Sequence, residues 1–212
     1  MNRPPTRPGE RVFMHGGAGR IEAQIDAPAG TPRGISLVAH PHPLYGGTLD
    51  NKVAQTLART FVELGWVAVR PNFRGVGASE GVHDHGEGET EDMVGLAHQL
   101  AGRYPGLPLA LAGFSFGAFV QTRVAKRVPV RRIVLVAPPS GLVSGGRTYV
   151  TEDVPADTIV IHGEQDETVP LANVFDWARP QGLPIVVIPG ADHFFHRRLH
   201  LIKNIVTGAW RN

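Results

Sequence analysis

"LALAGFSFGAFV", from Leu109 to Val120, is an apolar run that stops at Gly113, offers one hydroxyl between two phenylalanines at Ser115, and resumes after Gly117. The part before the break reads as a strand buried on both faces and the part after it as a helix. A join of that kind needs no serine, so Ser115 is either an ordinary helix N-cap or the residue the turn exists to display. Glycines two before and two after it favour display, because at a sharp strand-to-helix turn those two positions crowd together.

Working outward, five further runs share the character of the first: Gly34–His40, Trp66–Pro71, Arg132–Pro138, Thr158–Gly163 and Pro184–Gly190, each apolar and bounded by Gly or Pro. Between them lie stretches with helical spacing, among them Val53, Leu57, Phe61 and Leu64, then Met93, Leu96, Ala97 and Leu100. Residues 116–127, 171–179 and 194–210 complete the helices. Alternation of strand and helix predicts a mostly parallel sheet with helices on both faces. Ahead of it, residues 11–28 read as an antiparallel hairpin turning at Gly16-Gly17. Residues 1–10 are expected to be a flexible segment and 11–212 a single domain.

The 212 residues are 42% apolar and 19% charged, with a formal net charge of +2. That balance predicts an ordinary globular chain, with no membrane span and no basic stripe for nucleic acid. The N-terminus lacks a secretory pattern, which makes the expected location cytoplasmic. Zero cysteines remove thiolate nucleophiles and disulfides. The composition does not set an oligomeric state.

In open parallel sheets, ligands bind beyond the carboxyl ends of the strands. The segments there carry the remaining chemistry. A serine needs a base, and the base a carboxylate. Asp166 follows the strand of "TIVIHGEQDETVP" and His193 follows that of "PIVVIPGADHFF". Glu164, Glu167 and Asp192 compete for the acid's place, with Asp166 preferred. An acyl-transfer site also requires two donors for an oxyanion. Phe116 N–H, at the start of the helix, is one; the other comes from "HPHPLYGGT", where His42 is the candidate and Leu44 the alternative, Pro41 and Pro43 having no N–H.

These motifs resemble the α/β-hydrolase-fold serine hydrolases. "GFSFG" is similar to their nucleophile elbow, "HGEQDETVP" to their acid loop, "GADHFF" to their histidine loop and "RPNFRGVGASEG" to their Arg-Gly-x-Gly-x-Ser turn. "HPHPLYGGTLDNKV" is similar to a small, lid-lacking bacterial branch. The resemblance implies an α/β-hydrolase fold from Arg11 onward and esterase-type chemistry. Asn72 departs from it, standing where Asp is usual. The interval between "RIVLVAP" and "TIVIHG" is too short for a helical cap domain.

His40-x-His42 and His83-Asp84-His85 raise a metal site, but lack the flanking ligands such a site needs, so neither metal nor cofactor is expected. His193, His196 and His200 would share a helical face. The expected function is hydrolysis of small carboxylic esters or thioesters through an acyl-enzyme. Leu44, Tyr45, Phe114, Leu142, Val143 and Phe194 are the expected substrate contacts, and a small molecule is the expected partner. A non-catalytic binding protein, or an amidase, peptidase or acyltransferase using the same triad, remains as the alternative.

Overall fold

A computed structural model describes residues 9–210. Its centre is an eight-stranded sheet in the order β1-β2-β4-β3-β5-β6-β9-β10. β1 (Glu10–Gly16) and β2 (Gly19–Asp26) form the antiparallel hairpin, and β2 pairs antiparallel with β4 (Val67–Pro71). From β4 onward every pairing is parallel, through β3 (Ile35–Ala39), β5 (Leu109–Phe114), β6 (Arg132–Val136), β9 (Ile159–Gly163) and β10 (Ile185–Ile188). The fold is that of an α/β-hydrolase.

Two apolar cores follow from the side-chain alternation of the strands. On one face α1 (Lys52–Glu63) and α5 (Leu199–Trp210) pack together over Ala110, Ala112 and Ile161. On the other, α2 (Glu87–Arg103), α3 (Phe116–Ala125) and α4 (Leu171–Ala178) cover Leu37, Leu111 and Leu135. The connection leaving β3 runs to the first face and that leaving β5 to the second. A crevice therefore opens between two neighbouring strand ends, where an α/β sheet binds its ligands.

The structure departs from the sequence reading in five places. The hairpin turns at Gly17-Ala18, because Gly16 still pairs with Gly19. β10 is an edge strand with Val186 exposed rather than a strand covered on both faces. The last helix starts at Leu199 instead of residue 194: Phe195 and Arg197 have φ of 54° and 60°, which no right-handed helix accepts. The helical face proposed for His193, His196 and His200 does not form. A small ladder of β7 (Gly141–Val143) and β8 (Arg147–Tyr149) occupies the connection from β6 to β9, with no helical cap domain there. Lastly, Glu10, assigned to the flexible segment, opens β1; residues 1–8 of that segment lie outside the described residues.

Candidate active site

The turn after β5 brings the main chain into a conformation few residues adopt. Ser115 sits at φ 53°, ψ −123°, in the strained region characteristic of sharp turns. Close approach explains the flanking glycines. A Cβ on Gly113 would lie 2.5 Å from the carbonyl of Gly117, and one on Gly117 would lie 2.5 Å from the carbonyl oxygens of Ala39 and His40. The strain holds because α3 begins at once and packs its first turn against the end of β3. Ser115 makes no side-chain cap bond to that helix. Its hydroxyl faces elsewhere.

It faces His193. Ser115 Oγ lies 3.0 Å from His193 Nε2, and His193 Nδ1 lies 2.7 Å from Asp166 Oδ2. The carboxylate can only accept, so Nδ1 carries the proton and Nε2 is left to accept from the hydroxyl. All three side chains are more than nine-tenths buried. The second oxygen of Asp166 accepts from the backbone N–H groups of Thr168 (2.9 Å) and Val169 (2.7 Å), which locks the carboxylate into its own loop. The competitors are engaged elsewhere. Glu164 accepts from Gly190 N–H, Asp192 pairs with His196, and Glu167 is exposed.

Two further histidines that the sequence did not single out for this purpose brace the site. Fully buried His40 donates from Nδ1 to Pro41 O (2.7 Å) and accepts at Nε2 from Phe73 N–H (2.9 Å), joining the loop after β3 to that after β4. Burial pushes its pKa down to about 4. His162 donates from Nε2 to Val169 O (2.9 Å), with Asp166 Oδ2 3.5 Å away. Burial lowers its pKa in spite of that carboxylate. Asn72 also acquires a reason: its carbonyl accepts from Leu49 N–H and its amide donates to Glu22, a double role an Asp cannot fill.

In the loop after β3, Leu44 N–H is already committed to His42 Nδ1 (3.3 Å). Among the described residues no acceptor meets the N–H of His42 or of Phe116. The His42 ring rests on Phe116, 4.9 Å between centroids, and against Tyr45 and His83. Its pKa falls to about 4, first through burial and then through His83, Arg147 and His85. The histidines of the two suspected metal motifs thus serve packing and hydrogen bonding. Among the described residues, no group of three or more His, Asp or Glu side chains is arranged to hold a metal ion.

A cleft of about 280 Å³ opens over Ser115 and His193. Of the expected substrate contacts, Tyr45 and Phe194 line it. Phe114 and Val143 are instead buried in the cores, Phe114 beneath the His193 ring at 5.0 Å. Leu44 and Leu142 are exposed outside its walls. The sequence reading missed Asn51, Ser144 and Arg147, which do line the cleft. Asn51 was readable only as the cap of α1, whose first N–H groups it accepts. The Ser144-Gly145-Gly146 turn between "LV" and "RTY" was the available hint of a hairpin. That hairpin is tied to the acid loop by Ser144 N–H donating to Thr168 O (3.0 Å).

Comparison with known proteins identifies the family. The family model described as serine aminopeptidase, S33 (Hydrolase_4) matches residues 46–151, a span that holds Ser115 and stops short of Asp166 and His193. An uncharacterized protein of Rickettsia prowazekii is 31% identical over 194 residues, covering 87% of this chain and 82% of its own. Among solved structures, an α/β serine hydrolase without lid from Xanthomonas campestris is 33% identical, with a TM-score of 0.89 over 99% of this chain and 97% of that one. An α/β serine hydrolase homologue from Coxiella burnetii is 36% identical, with a TM-score of 0.84 over 98% and 99%. The elbow at Ser115, the sheet that carries it and these end-to-end likenesses agree: the chain belongs to the α/β serine hydrolases, in the family described as serine aminopeptidase, S33.

Proposed function

We propose that the protein hydrolyses carboxylic esters or thioesters of small acyl groups, with Ser115 as nucleophile, His193 as general base and acid, and Asp166 orienting the imidazole. The unbroken relay from Ser115 Oγ through His193 to Asp166 is the observation that carries this reading. Ser115 Oγ adds to the substrate carbonyl while its proton passes to His193 Nε2. The negative charge that develops on the carbonyl oxygen is met by the N–H groups of Phe116 and His42, neither of which has another acceptor among the described residues. The imidazolium, stabilised by Asp166, returns the proton to the departing alcohol or thiol. Water, deprotonated by the same imidazole, then releases the acid and restores Ser115.

Neutral His42 suits its place. A charged ring beside the oxyanion donors would attract anions in the ground state, and burial keeps it uncharged down to a pH of about 4. The test is covalent labelling with a fluorophosphonate, followed by turnover on matched esters, thioesters and an aminoacyl amide. Labelling confined to Ser115, with ester or thioester turnover exceeding amide turnover, is the expected result. A folded protein that takes no label is a binding protein, and one that prefers the amide is a peptidase.

A further inference from the structure

Two largely covered arginines in this molecule have carboxylate partners. Arg70 pairs with Asp26 at 3.0 Å, and Arg74 pairs through two nitrogens with Asp92 at 2.7 and 2.9 Å. Arg147, half-buried on β8 at the wall of the cleft, does not. Among the described residues no carboxylate comes within ion-pairing distance of it. Its company is neutral: Nη2 donates to Ser144 O (2.9 Å), Nη1 reaches the Tyr149 hydroxyl at 3.5 Å, and the guanidinium carbon stands 4.4 Å from the Tyr45 ring centroid. Nε is buried without a partner. The same cleft holds Ser115, and neither Asp nor Glu lines it.

A guanidinium partly removed from water and left unneutralised is costly unless something anionic joins it. Stacking on Tyr45 and the bond to Ser144 O fix its plane, so its fork is set before any ligand arrives. From this we infer that Arg147 is a specificity residue which binds an anionic group, a carboxylate or phosphate, carried by the substrate whose carbonyl reaches Ser115. The inference rests on the hydrolase reading above. It also refines that reading: the preferred substrates are charged as well as small.

Mono-p-nitrophenyl adipate and p-nitrophenyl hexanoate test it, since they differ only in a terminal carboxylate against a methyl. A second pair, 4-acetoxybenzoate and phenyl acetate, moves the charge to the leaving group. For each ester the quantity read is kcat/KM of the native protein divided by that of Arg147→Gln, which cancels intrinsic reactivity. In the pair whose charge faces Arg147, this ratio is expected to be about tenfold larger for the charged ester, the worth of one charge-assisted bond. Arg147→Lys falls between, and added salt shrinks the difference. Selectivity in the first pair assigns the anion to the acyl chain, and selectivity in the second assigns it to the leaving group. A purely structural role for Arg147 would lower charged and uncharged esters alike. Equal ratios in both pairs therefore overturn the inference, while turnover of any of these esters leaves the hydrolase reading standing. No turnover together with no labelling of Ser115 removes both.

Discussion

The cleft has two unlike walls. The inner one, Ser115, Asp166 and His193, stands on the ends of β5, β9 and β10, is almost wholly buried, and has its key polar contacts accounted for. The outer one is Tyr45, Phe194 and the β7–β8 hairpin. Tyr45 is 66% exposed and Phe194 48%. Among the described residues the hairpin's strands pair only with each other; Val143 sinks into a core, Tyr149 rests on Phe116 and Phe119, and hydrogen bonds run from Ser144 N–H to Thr168 O and from Asn173 to Ser140 O and Leu142 O. Chemistry that tolerates little displacement is built on the sheet. Under the proposed function, choice of substrate falls to the more exposed wall, whose hairpin is anchored through Val143 and Tyr149 and tied by these hydrogen bonds.

Breaking the inner wall should cost most. Ser115→Ala is expected to lower kcat by a factor on the order of 10⁵ to 10⁶ with the melting temperature little changed, as read by ester turnover beside calorimetry. Asp166→Asn should cost about 10⁴ in kcat, since an amide at that position favours the wrong imidazole tautomer. Loss of less than tenfold in either variant would mean that the relay is not the engine.

His40, which braces the inner wall from behind, sharpens the contrast through pH. Its folded pKa of about 4 lies below the usual imidazole value of 6.5, so the unfolded chain takes up the proton first. The stability from neutral His40 is complete above pH 6.5, declines as the pH falls from 6.5 to 4, and is gone below. The loss is on the order of 3 kcal/mol. Urea melts across that range should show the slope, and His40→Gln, able to donate to Pro41 O and accept from Phe73 N–H, should flatten it.

The smallest effect belongs to the outer wall. Tyr45→Ala removes the face beneath Arg147 and should raise KM about two- to fivefold with kcat nearly unchanged in steady-state kinetics. A large fall in kcat would show that the two walls are mechanically one.

The same division governed what could be read from the amino acids alone. Strands covered on both faces are continuous apolar runs, so β3 to β6 and β9 were visible, and with them the loops at their carboxyl ends. Ser115 and Asp166 stood out because each follows such a run, and His193 because it follows the apolar stretch of β10, legible although that strand lies at the sheet edge. The outer wall had no comparable signal. "GLV" and "RTY" are too short to show a period, and Arg147 is one cation among 21. Phe114 and Val143 looked like cleft residues by their position in sequence, yet each points into a core. Residues 194–198 carry neither Gly nor Pro, so the positive φ at Phe195 and Arg197, which arises from tertiary placement, left no mark.

The hairpin between β6 and β9, in place of a helical insertion, bears on the fate of the acyl group that the proposed function puts on Ser115. Among the described residues no helical insertion stands over the cleft, so under the proposed function an acyl group on Ser115 is expected to face water more often than scarcer acceptors. On that proposal, release of a free acid is favoured over its transfer to another alcohol or amine, and turnover does not wait on a helical gate.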